Sequence, residues 1–188
     1  MFRGGGDYAV NEYIIGSDQR ALLCRYASGR RHLDQRDQLT LEWSGAYARY
    51  HAAIIQTLIM EKACEKHQYM PAVARGALEA SEAAIIPGKP MGDVFADHAQ
   101  VFDKARLDHT RLNDWDYAMA AIYNPICADF SMFYANNPRL MHERQVFFLH
   151  MILMDNVSGL AMCLGYSVEV TAQGANRLSR DAPDLFEL

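Results

Sequence analysis

The chain has 188 residues, 51% of them hydrophobic and 22% charged, with a formal net charge of −5. That is enough chain for one domain with its own core, and too apolar for a disordered one. No basic cluster exceeds Arg30-Arg31 and no apolar run approaches the roughly 20 residues of a membrane span, so nucleic-acid and membrane partners are excluded as expectations.

From the N-terminus, a glycine-rich start is followed by two short strand-like pieces, "EYII" and "ALLCRY", separated by "GSDQR". No basic n-region precedes an apolar stretch, which points to a cytoplasmic protein. "SGRRHLDQRDQ" is a polar connection. In "LTLEWSGAYARYHAAIIQT" Leu39, Leu41 and Trp43 alternate with Thr40, Glu42 and Ser44, and a β-branched, aromatic run follows. The pattern predicts a hairpin whose first strand turns Leu39, Leu41 and Trp43 inward and Glu42 to a polar face.

Two helices come next. Met70, Val73, Ala74, Ala77 and Ala84 recur near the helical period, with Pro71 in the first turn and Pro87-Gly88 as the stop. The second helix runs from about 90 to about 107 and carries Val94, His98, Val101, Phe102 and Ala105 on one stripe, His98 reading as a packed residue. "LNDWDYAMAAIYNPI" is extended until Asn124-Pro125 breaks it, and "NNPRLMHERQ" is a loop. "VFFLHMILM" and "LAMCLGYSVEVT" are strands joined by "DNVSG", before a tail that opens with a turn. The order of strands, two helices and strands gives an α+β domain over residues 1–188 with a mostly antiparallel sheet. Cys24, Cys64, Cys127 and Cys163 form no C-x-x-C pair and read as reduced core thiols.

Six segments in order resemble the creatinase / Xaa-Pro dipeptidase / methionine aminopeptidase superfamily. They are "GGGDYAVNEYIIGS", the hairpin, "ALEASEAAIIPGKPMGDVFADHAQVF", "ARLDHTRLNDWDYAMA", "VFFLHMILM" and "GLAMCLGYSVEVTAQGANRLS". The resemblance implies the pita-bread fold: a curved, mostly antiparallel sheet with helices on one face. It also implies a C–N hydrolase, a homodimer, and an N-terminal domain preceding the part seen here. Metallopeptidases of this superfamily hold two divalent metals with two Asp, one His and two Glu. Those positions fall on Glu42, Ala53, Tyr117, His150 and Gly165. One Glu and one His cannot neutralise and bridge a metal pair, so the expected cofactor is none. The reading follows the superfamily's metal-free members, creatinase and the ectoine-hydrolase-like proteins.

Glu42, His150 and Tyr117 are therefore the candidate catalytic residues. Glu42 is an acid or base, His150 an imidazole inside an apolar strand, and Tyr117 a phenol able to donate to an oxyanion. They are expected to converge on one concave face, with Glu42 within reach of His150. His51, His109, Arg111 and Asp129 are candidates for substrate binding, Arg111 as a bidentate clamp on a carboxylate and Asp129 as a loop carboxylate. The leading function is metal-free cleavage of a C–N bond in a small amino-acid-derived substrate. A Xaa-Pro dipeptidase-like metalloenzyme acting on a dipeptide-like substrate, and a binding module that retains the fold without the chemistry, stand as alternatives.

Overall fold

The computed structural model describes residues 2–8, 12–23, 26, 29–112, 114–121, 128–179 and 186–187. Strand β1 (Ile14–Ser17) is followed by a short 3-10 helix (Asp18–Leu22) and the hairpin β2 (Gln38–Tyr47) and β3 (Tyr50–Ile59). Helices α1 (Glu65–Ala84) and α2 (Met91–Ala105) come next, then β4 (Asp114–Met119), β5 (Asp129–Tyr134), β6 (Val146–Asp155), β7 (Leu160–Thr171), β8 (Gly174–Arg177) and β9 (Phe186–Glu187). The main sheet order is β1-β2-β3-β7-β6-β4-β5, with β8 on β7 and β9 on β3. Among the described residues only the β3–β9 pairing is parallel. The fold is the expected α+β architecture.

The two hairpins are built locally. Ala48 and Arg49 take φ of 48° and 73°, the left-handed pair that matches the twist of a two-residue hairpin, and Tyr47 faces Tyr50 across it. Pairing then runs from there to Gln38–Ile59. The β6–β7 ladder is equally continuous, from Val146–Glu169 to Asp155–Leu160. The seam between the hairpins is short: Ile54–Tyr166, Ile55–Gly165 and Gln56–Leu164. Side-chain hydroxyls extend it at both ends. The Ala53 N–H donates to Ser167 Oγ at 2.9 Å, and the Cys163 N–H donates to Thr57 Oγ1 at 2.8 Å.

Both helices cover one face of the sheet. Met70, Ala74, Leu78, Val94 and Phe102 pack on Phe147, Leu149, Met151, Leu164 and Val168. Tyr166 ties the layers together: its phenol donates to Glu82 on α1 at 2.7 Å, and Arg177 on β8 donates to the same Glu82 oxygen at 2.7 Å. The Arg177 guanidinium lies 4.2 Å from the Tyr166 ring centre. The opposite face carries a smaller cluster of Ala53, Ile55, Tyr117, Met119, Phe148, Ile152 and Cys163. The sheet curls over this second face, because Tyr50 at the start of β3 bridges to Ala121, just past β4. Among the described residues no helix is long and apolar enough to cross a membrane.

Several local expectations need correction. Ala21 and Leu22 of "ALLCRY" lie in the 3-10 helix, not in a strand, while Cys24 and Arg25 fall outside the described residues. Helix α1 begins at Glu65, so Pro71 is inside it; the polar "EKHQY" start hides two turns whose buried positions are His67, Met70 and Pro71. Asp129 opens strand β5 instead of lying on a loop. The Asn124-Pro125 break and Cys127 fall outside the described residues. Cys163 is a buried thiol, but Cys64 is exposed.

The polarity of β2 is also inverted at its centre. Thr40 and Glu42 are buried, while Trp43 is 38% exposed. Thr40 is satisfied by donating to the Ala21 carbonyl at 3.0 Å. The face with the polar side chains is the one that looks into the curve of the sheet.

Candidate active site

Backbone register places the candidate residues. Glu42 pairs with Ile55, Ile55 with Gly165, and Gly165 with His150, forming one row across four strands. The next row runs from Ser44 and Ala53 through Ser167 and Phe148 to Tyr117. Residues opposite one another share a face, so Glu42, Ala53, Tyr117, His150 and Gly165 all fall on the face away from the helices.

Tyr117 and His150 meet directly. Their rings stand perpendicular with centroids 5.5 Å apart, and Phe148 approaches the imidazole at 4.8 Å. Glu42 stands at the other end of its row from His150: β3 and β7 lie between them, roughly 14 Å along the sheet at the usual strand spacing. It is 9% exposed and lines a cavity of about 450 Å³ with Tyr13, Ile15, Leu41, Trp43 and Ser44, at the margin of β2.

The carboxylate beside His150 is one that the sequence reading passed over. Asp116 is fully buried. Its Oδ1 accepts the His150 backbone N–H at 2.7 Å and ring Nδ1 at 3.2 Å, while Oδ2 has no hydrogen-bond partner among the described residues. Burial pushes the Asp116 carboxyl above its ordinary range, and the contact with His150 opposes that. An acid inside the aromatic run "WDYAM" was the available signal. The bulged pairing of β4 with β5 near Tyr117 obscured which way it would face.

His51 sits on β3 two residues before Ala53, and its Nδ1 donates to the Ala120 carbonyl at 3.3 Å, where β3 meets the end of β4. The other proposed substrate residues are not brought to this group. His109 is exposed on a 3-10 turn (Asp108–Thr110). Arg111 packs against α2, its guanidinium 5.6 Å from the Phe95 ring centre and 3.9 Å from Asp103, on the helix side of the sheet. Asp129 is exposed on the outermost strand, opposite Ala118. His98 is the packed residue expected, edge-on to Phe95 at 5.0 Å and to Phe102 at 5.8 Å.

The donor set does not fit a pair of divalent metals. Ala53 and Gly165 offer no ligand atom, and a Cβ on Gly165 would stand 2.5 Å from the Leu149 carbonyl oxygen and 2.7 Å from His150 Cα. Position 165 therefore has no room for a glutamate on this backbone. Among the described residues no three His, Cys, Asp or Glu side chains gather in a metal-binding group.

The family model for metallopeptidase family M24 matches residues 1–161. The chain belongs to that family. No curated protein matches it by sequence. Among solved structures, an X-Pro aminopeptidase from Thermotoga maritima superposes with a TM-score of 0.90 at 12% identity, over 100% of this chain and 52% of that one. A prolidase from Pyrococcus furiosus gives 0.87 at 14% identity, over 96% and 52%. A dipeptidase PepE from Mycobacterium ulcerans gives 0.88 at 17% identity, over 98% and 49%. The chain thus spans about half the length of these structures, and the likeness is one of fold.

Proposed function

We propose that this M24-family chain is a hydrolase-type domain that cleaves a C–N bond in a small amino-acid-derived substrate without metal. The observation that carries the reading is the buried His150–Asp116 pair against Tyr117, on the sheet face that Glu42, Ala53 and Gly165 share. In this scheme His150 takes a proton from water as its oxygen adds to the carbonyl or amidine carbon. The intermediate then collapses, the C–N bond breaks, and the imidazolium returns that proton to the leaving nitrogen. Tyr117 donates its O–H to the heteroatom on which negative charge develops. Glu42, at the far end of the row, holds a cationic group of the substrate.

A second reading, a Xaa-Pro dipeptidase-like metalloenzyme, is favoured by the family match and by the X-Pro aminopeptidase and prolidase among the structural neighbours. The two readings part in one experiment. Small N-acyl amino acids, cyclic amidines and Xaa-Pro dipeptides are offered to the protein with and without chelator, and again with added manganese. Turnover that survives chelation and disappears in His150→Asn supports the metal-free reading. Xaa-Pro cleavage that needs the metal overturns it.

A further inference from the structure

We propose that Asp116 is a positioning residue that sets the tautomer and orientation of His150. The inference rests on the functional reading above only for its consequence in catalysis; the tautomer itself is a property of the folded chain. One Asp116 oxygen lies within hydrogen-bond distance of two nitrogens of the same residue, the backbone amide at 2.7 Å and the ring Nδ1 at 3.2 Å. A carbonyl or amide oxygen could satisfy either donor. A carboxylate adds negative charge at a site that is fully buried, and leaves its second oxygen without a hydrogen bond among the described residues. That arrangement is costly for stability alone.

Its benefit appears when the ring gains a proton. A neutral imidazole that donates Nδ1–H to Asp116 has Nε2 as its basic nitrogen. Once Nε2 takes a proton, the imidazolium lies against a fixed carboxylate and is stabilised without any movement of either group. The walls hold the ring in that orientation: Tyr117 stands perpendicular to it, Phe148 tilts against it, and Gly165 opposite gives it room. Asp116 comes from β4 and His150 from β6, so the hydrogen bond also fixes how closely β4 approaches its neighbour just where the ladder Tyr117–Phe148 stops.

The test is the nitrogen-15 spectrum of the His150 ring in the intact chain, compared with Asp116→Asn and Asp116→Ala. The neutral wild-type ring is expected to carry its proton on Nδ1. Asp116→Asn, whose amide oxygen still accepts, keeps that tautomer. Asp116→Ala, checked for folding by circular dichroism, shifts the population toward Nε2–H. A wild-type ring protonated mainly on Nε2, or an unchanged ratio in folded Asp116→Ala, overturns the proposal, and the wild-type spectrum decides it even where the alanine variant does not fold. With any substrate found active, Asp116→Asn is expected to lower kcat on the order of 10²-fold with KM little changed. The tautomer result without any hydrolysis would remove the functional reading alone. Hydrolysis by a wild-type ring protonated on Nε2 would remove the positioning role alone.

Discussion

Gly165 lies directly opposite His150 in the β6–β7 ladder, so close that a single methyl group at 165 would run into the Leu149 carbonyl and the His150 backbone. Gly165→Ala is therefore expected to lower stability by about 2–3 kcal/mol, as overpacking against rigid backbone does. Gly165→Glu, which puts a carboxylate opposite His150, should destabilise the fold further instead of creating a metal site. Denaturant unfolding and metal titration of both variants check this. A stable glutamate variant that binds metal stoichiometrically would contradict it.

Tyr117→Phe removes a hydroxyl and leaves the ring that packs on His150 and Phe148. If the phenol stabilises developing negative charge, kcat should fall roughly 10²- to 10³-fold. Stability should change by only about 1 kcal/mol, the usual worth of one hydrogen bond. A variant with full turnover assigns Tyr117 to packing.

Stability should decline as the pH falls from neutrality, with a histidine component. Burial among aromatic rings depresses His98 to about 3, and burial also lowers His67. Between its folded value and the ordinary value near 6.5, His98 is neutral when folded but takes a proton on unfolding. Acid therefore favours the unfolded chain by up to roughly 1.4 kcal/mol per pH unit for that one group. His98→Leu is expected to flatten the stability profile between pH 4 and pH 6.5. An unchanged slope in that variant would show that His98 is protonated in place.

Asp155 acts in a more acidic window. Lys66 beside it, helped by Ser158 and the Val157 and Ser158 amides, holds its carboxyl well below the usual range. Its contribution is present above the ordinary carboxylate value near 4 and is lost as the pH falls through the folded one. Asp155→Asn should cost about 2 kcal/mol at neutral pH and less in strong acid. Urea unfolding at both pH values would show the difference narrowing, or refute it.

Tyr166 and Arg177 both converge on Glu82 and on each other, the guanidinium donating to the phenol at 3.0 Å. Tyr166→Phe and Arg177→Ala should not be additive. A double-mutant cycle is expected to return a coupling of about 1 kcal/mol, and a value near zero would mean the contacts are independent.

The hairpins were legible because turn chemistry and alternation are local: residues 39–57 and 146–171 announce themselves. The centre of β2 was misread because alternation alone does not say which face is buried. Trp43 and Leu41 suggested the apolar side, whereas Thr40 is covered by the 3-10 helix through the Ala21 carbonyl and Glu42 lies beside Tyr13 and Ile15 of the β1 segment. Asp116 was missed for a related reason: its value depends on a partner 34 positions away. Arg111 illustrates the converse. Its sequence suited a carboxylate clamp, but its bridge to Leu153 commits it to the helix side.

The short seam between β3 and β7 has a mechanical meaning. Glu42 and Ala53 belong to one hairpin, and His150 and Gly165 to the other, so the site spans a joint of three backbone pairs tied off by the Ser167 and Thr57 hydroxyls. Each hairpin is a stiff plate, and the joint is where the least backbone pairing must give for the plates to change their angle. The span from Glu42 to His150 can thus be adjusted by small changes at Ser167 or Thr57, leaving the chemistry on each plate intact. In such a fold, the identities of the facing side chains and the distance between them are set by different residues.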